Sequence, residues 1–148
     1  VKPTKADRKK FDLDLTYGEI REDKIRDMLE NKKIEIKSER DMWMKTGNIC
    51  IEYESYGQPS DIKATESDYW FHNLCVGDVE FCTLVFDTKM LKKIVNDLDT
   101  FRTVSGGDNN ASRMFLVNLQ KLFSSDVIKA FQDTLKQEAP HETTDDLS

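Results

Sequence analysis

The sequence predicts an α+β fold, a mixed central sheet flanked by helices, on three observations. "KIEIKSER" (33–40) and "ICIEYES" (49–55) alternate apolar and polar residues with the two-residue period of strands. "YWFHNLCV" (69–76) is a continuous apolar run suited to a strand buried on both faces, and "VEFCTLVF" (79–86) follows it as a hairpin partner. Segments with helical composition or spacing precede and follow them. At 148 residues, the chain is long enough for one domain with a real core.

The elements follow in order. Tyr17 to Asn31 is rich in Glu, Arg, Lys, Leu and Met and predicts a helix. Lys32 to Glu39 predicts a strand with Ile34 and Ile36 on one face and Glu35 and Lys37 on the other, the charged face being solvated in the simplest case. Thr46-Gly47-Asn48 is a turn signal, so "ICIEYES" is expected to return as the hairpin partner of that strand. Gly57 and Pro59 mark a loop. Gly77-Asp78 joins the two apolar runs as a second hairpin. Asp87 or Thr88 can cap a helix with Met90, Leu91, Ile94, Val95 and Leu98 in one stripe. "FRTVSGGDNNASRMFLVNL" reads as strand, turn, strand, with Gly106 and Gly107 serving the turn. "SSDVIKAFQDTL" is a short helix with Val127, Ile128, Phe131 and Leu135 on one side.

Charged residues make up 34% of the chain and the mean hydropathy is -0.63, which predicts a soluble protein. No apolar run has the length of a membrane span, so no membrane partner is expected. "VKPTKADRKK" has no apolar stretch behind its charges and does not resemble a secretory signal. Cys50, Cys75 and Cys82 lie in apolar runs without metal-type spacing, which predicts buried free thiols in a reducing compartment. The net charge of -6 argues against nucleic acid, but its distribution softens that. Residues 2–10 carry five basic side chains against one Asp, and the last twelve residues carry four acids and no base. The expected organisation is a basic arm (1–10), a folded body (11–136) and an acidic disordered tail (137–148).

On the second strand Ile49, Ile51 and Tyr53 share one face, and Cys50, Glu52 and Glu54 the other. If the charged faces of the two strands coincide, three carboxylates and the Lys37 ammonium meet. Like charges so close repel one another, and a divalent cation resolves the repulsion. Mg²⁺ takes one or two carboxylates and leaves room for water and phosphate. Such a site hydrolyses phosphodiesters, the ion activating water and a neighbouring Lys stabilising charge in the transition state.

"YGE" opening a helix, "IEIKSERDMWMKTGNICIEYES" and "GQPSDIKATESDYWFHNL" together resemble the PD-(D/E)xK nuclease superfamily, with the closest likeness to small phage-type endonucleases similar to Holliday junction resolvases. The resemblance covers about residues 17–72 and is weaker through "VSGGDNNASRMFLVNLQKL". It implies an αβββαβ restriction-endonuclease-like core and DNA cleavage with Mg²⁺ or Mn²⁺. It also implies a homodimer, and a cytoplasmic location, in the host if phage-encoded. By position it implies catalytic roles for Glu19, Glu35, Lys37, Glu52 and Glu54, with Glu19, Glu35 and Glu52 as metal ligands. The chain departs from the family pattern in lacking Pro-Asp before a strand and in carrying Glu54 where a Lys is usual. Two registers follow: Glu35 and Glu52 as successive strand acids with Lys37 supplying the ammonium, or Glu35-Ile36-Lys37 as the catalytic pair itself. The rival expectations are a nuclease-like nucleic-acid-binding module that does not cut and a protein-interaction factor.

Lys5, Arg8 and Lys9 in the arm, Lys45 and Lys63 are candidate phosphate contacts, with Ser60 and Thr65 nearby. Trp43 can stack on a base or fold back on the sheet. His72, within an apolar run, reads as a satisfied core histidine; no Ser or Cys stands at triad spacing.

Overall fold

The computed structural model describes residues 1–138. Helix α1 (Lys5–Asn31) opens on a capping box, in which Thr4 accepts from the Asp7 backbone N–H and Asp7 accepts from that of Thr4. Strand β1 (Ile34–Arg40) follows after two residues, then a short helix α2 (Met42–Thr46), β2 (Asn48–Ser55) and the two-residue β3 (Gln58–Pro59). A 3₁₀ turn (Asp61–Lys63) leads to β4 (Tyr69–Val76), β5 (Val79–Asp87) and α3 (Thr88–Asn96). Strands β6 (Thr103–Gly106) and β7 (Ser112–Asn118) precede α4 (Leu119–Leu122) and α5 (Ser125–Glu138).

These strands make two sheets. The first is mixed, in the order β1-β4-β5, with β1 parallel and β5 antiparallel to β4. The second is antiparallel, in the order β3-β2-β7-β6. Ile49, Ile51, Trp70, Leu91 and Val117 are at most 1% exposed and form the centre of a core that draws on both sheets and α3. Leu122 of α4 and Val127 of α5 close it. No helix among the described residues is long and apolar enough to cross a membrane.

Several expectations hold. Gly77, at φ +58°, turns β4 into β5, and Asp87 caps α3 by accepting from the Met90 N–H. Leu91 and Val95 are the buried members of the α3 stripe, and β6–turn–β7 forms as read. Others are corrected. β1 and β2 are not a hairpin: β1 pairs with β4, 35 residues on, and β2 lies in the other sheet. The basic arm is not separate, because α1 begins at Lys5, twelve residues before Tyr17. Of the tail, residues 137 and 138 end α5, and 139–148 lie outside the described residues.

The faces of β1 are also reversed. Glu35, Lys37 and Glu39 point inward beside Trp70, His72 and Leu74, while Ile36 is 60% exposed. The inward face is tolerable because its polar groups are all partnered, and no buried side-chain N or O among the described residues lacks a hydrogen bond. The deepest of these contacts runs through three strands. The Trp70 indole N–H donates to His72 Nδ1 (3.1 Å), His72 Nε2 meets Glu39 Oε1 (2.9 Å), and the same carboxylate accepts the Cys50 N–H of β2.

Replacing His72 by Phe orphans the Trp70 N–H and strips Glu39 of a donor. The expected loss is roughly 1–3 kcal/mol in urea unfolding, the cost of one buried donor left without a partner beside a partly buried carboxylate that keeps one. A change within about 0.5 kcal/mol would show that the relay contributes no more than an ordinary surface contact.

Candidate functional site

Lys37 is the centre of the site. β1 carries it inward, two residues from the Glu39 anchor, and its Nζ lies 2.9 Å from Asp61 Oδ1 and 3.2 Å from Glu35 Oε1. The indole of Trp70 lies beneath, 6.0 Å from Nζ to the ring centroid. Asp61 heads the 3₁₀ turn, which Ile62, fully buried, pins to the core. Its neighbour Ser60 donates to Glu52 Oε1 at 2.6 Å, so one turn holds the ammonium through Asp61 and the β2 carboxylate through Ser60. Glu35, Asp61, Ala64 and Thr65 line an open cleft of about 170 Å³. Past Thr65 it adjoins a larger one of about 330 Å³, bordered by Lys32, Lys89 and Lys92.

Burial alone lowers the Lys37 pKa, but hydrogen bonds and charge from Asp61 and Glu35 outweigh it and hold the group above the ordinary lysine value. Lys37 is therefore an ammonium at neutral pH. It can orient a nucleophile or neutralise developing negative charge, and it cannot act as a proton acceptor. Burial pushes the Cys50 thiol up, and the Glu39 carboxylate adds to it, so Cys50 is no nucleophile at neutral pH.

Of the residues that the sequence groups together, Glu35 and Lys37 are in contact, and Glu52 is linked to them only through Ser60, the neighbour of Asp61. The rest are not brought to them. A β-bulge between Glu52 and Glu54 sets Glu54 opposite Arg113, while Glu52 stands opposite Met114. Glu54 thus leaves the face of Glu52 and pairs with Arg113 at 3.0 Å. Glu19 is exposed on α1. Among the described residues no three His, Cys, Asp or Glu side chains stand close enough to share one ion, so Glu19, Glu35 and Glu52 do not form a closed metal cage.

Trp43 folds back: its Nε1–H donates to the Cys75 carbonyl at 2.9 Å and its ring stacks on Phe81, with centroids 5.7 Å apart. It is not available to a base. Lys63 lies over the Tyr53 ring at 4.5 Å, Lys45 is exposed on α2, and Lys5, Arg8 and Lys9 are exposed on the first turns of α1. His72 is the core histidine expected.

Asp61 was not legible as a site residue. "PSD" reads as a turn opening, and nothing local shows that its carboxylate reaches a lysine 24 positions upstream. Its backbone, at φ +40°, is the one physical signal, since a non-glycine residue held there is sustained by its surroundings. Comparison with protein-family models, curated proteins and solved structures gave no match.

The raised Lys37 pKa has a signed consequence. Its contribution to stability is complete below the unfolded lysine value of about 10.4 and is lost as pH rises through the higher folded value. Urea midpoints of wild type and Lys37→Met should therefore differ by a constant amount from neutral pH to about pH 10, then converge. A gap that closes below pH 9 would contradict the clamp.

Proposed function

We propose that the protein is a Mg²⁺- or Mn²⁺-dependent endonuclease that hydrolyses DNA phosphodiester bonds, with branched or structured DNA as its substrate class. The observation that carries this reading is an ammonium clamped by two carboxylates at an open cleft. The donor set fits the ion. Glu35 and Asp61 are half-exposed oxygen donors, and Mg²⁺ asks for one or two carboxylates with water and phosphate in the remaining positions. Glu35 and Asp61 would hold it, with Glu52 at the edge; when bound, it would polarise the phosphate and acidify a water. Lys37 faces the charge that grows on the phosphate oxygens as the nucleophile attacks. Trp70 and the inward face of β1 cover part of Lys37 and leave about a third of it exposed toward the cleft, and partial burial strengthens that interaction relative to open water. Ser60 fixes the Glu52 carboxylate, and the lysines bordering the adjoining cleft offer contacts to neighbouring phosphates.

A nuclease-like module that binds DNA without cutting is the second reading. The specific observation in its favour is that Lys37 is already neutralised by Glu35 and Asp61, so the site is electrostatically settled as it stands.

A panel of branched, nicked, duplex and single-stranded DNA, with Mg²⁺, Mn²⁺ or chelator, separates them. The enzyme cuts at least one substrate in a metal-dependent way. Lys37→Ala should then slow cleavage by roughly 10²- to 10³-fold with DNA affinity unchanged. Asp61→Asn should raise the half-saturating Mg²⁺ concentration by about tenfold or more. Binding without cleavage under every condition establishes the second reading, and absence of binding to all four substrates defeats both.

A further inference from the structure

We propose that the protein pairs with a second copy of itself through α1, the two helices running antiparallel about a dyad level with residue 20. The proposal is independent of the nuclease reading. At 3.6 residues per turn, Phe11, Leu15, Ile25 and Leu29 fall within about 40° of one line along the helix. They are 65%, 53%, 50% and 61% exposed, and they make the longer of two exposed apolar runs on the helix, the shorter being Leu13, Tyr17 and Ile20 on the far side. The one buried residue of α1, Met28, lies about 100° away around the helix, so the domain covers a different side. Gly18 and Glu22 complete the line, and the steps 11-15-18-22-25-29 alternate four and three, the spacing of a coiled-coil seam.

That seam reads the same from either end. In an antiparallel pair Phe11 meets the partner's Leu29, Leu15 meets the partner's Ile25, and Gly18 meets the partner's Glu22, each contact occurring twice, as a two-fold interface requires. Gly18 supports this independently. It sits in mid-helix, where glycine is a poor helix former, and apart from its own stretch of helix backbone and its two chain neighbours nothing comes within 4 Å of the place its Cβ would occupy. Nothing in this copy calls for glycine there. Beside the dyad, a residue without a side chain lets the helices approach and receives the stem of the facing Glu22.

Charge selects the direction. Beside a parallel seam Asp7 would face the partner's Asp12, Asp14 the partner's Glu19, and Arg21 the partner's Arg26, so every flanking pair repels. The antiparallel pair sets Asp12 against the partner's Arg26 twice. It leaves like charges only at the dyad, Glu19 and Arg21 each facing their own copy. Arg26 is free to turn, since it is 69% exposed and its contacts to Glu22 and Asp23 are long, 3.7 and 3.5 Å. The helix is 27 residues, about 40 Å. Four apolar side chains per copy burying on the order of 100 Å² each, with the stems of the flanking charges, bring the contact past the roughly 1,000 Å² of a specific interface.

Sedimentation equilibrium on the full chain tests it. Wild type should be a dimer and Ile25→Glu a monomer with an unchanged circular dichroism spectrum, since that side chain faces solvent in the single copy. Arg26→Asp should weaken the dimer by roughly 2- to 30-fold, two exposed ion pairs having been turned into repulsions. Asp12→Arg combined with Arg26→Asp should restore it. Parallel pairing predicts the opposite sign, because Arg26→Asp would then relieve the repulsion from Arg21. A monomeric wild type, a dimer that survives Ile25→Glu, or a dimer tightened by Arg26→Asp would each overturn the proposal.

Discussion

A buried hydrogen-bond relay fixes the relation between the two sheets, and with it the site. An indole N–H can only donate, so His72 Nδ1 must accept from Trp70, and the ring hydrogen therefore sits on Nε2, directed at Glu39. Glu39 in turn receives the Cys50 N–H from an edge of β2 that has no strand beside it at that point. One carboxylate thus ties β1 and β4 to β2, strands that share no backbone ladder across the sheet boundary. Lys37 is two residues from that tie and on the same face, so its depth and direction follow from it.

What could be read in the sequence was local. The α3 stripe with its Asp87 cap, the β4–β5 hairpin around Gly77 and the β6–β7 pair are each specified within twenty residues, and each formed. The parallel pairing of β1 with β4 depends on residues 35 apart and leaves no local mark. The side of β1 that turns inward is a question of parity, and alternation alone is silent on it. Ile34 and Ile36 argued for one answer. Asp61, His72 and the Cys50 N–H, arriving from elsewhere in the chain, gave the charged face its partners and made the other answer the stable one. The capping box at Thr4 and Asp7 was present in "TKAD", yet the density of basic residues around it suggested an arm.

The site was legible to the same degree. Glu35, Lys37 and Glu52 stand out in the sequence as ionisable residues two apart on predicted strands, and Glu35 and Lys37 do meet. Glu54 satisfied that rule equally well, but a bulge carries no sequence signature and moved it to Arg113. Asp61 satisfied no rule. It works through a turn conformation that asparagine and aspartate tolerate better than most residues, which makes the choice of residue intelligible only once the turn is seen.

The joint between α1 and β1 has a mechanical consequence. Only Lys32 and Lys33 separate the rod from the strand, and Lys33 is gripped on both sides: its N–H donates to the Asp68 carboxylate, and its carbonyl accepts from Asp68 and Tyr69. That grip is a fulcrum two residues from Glu35. The point where the long helix leaves the domain is thereby held in place two residues from the strand position that carries Glu35.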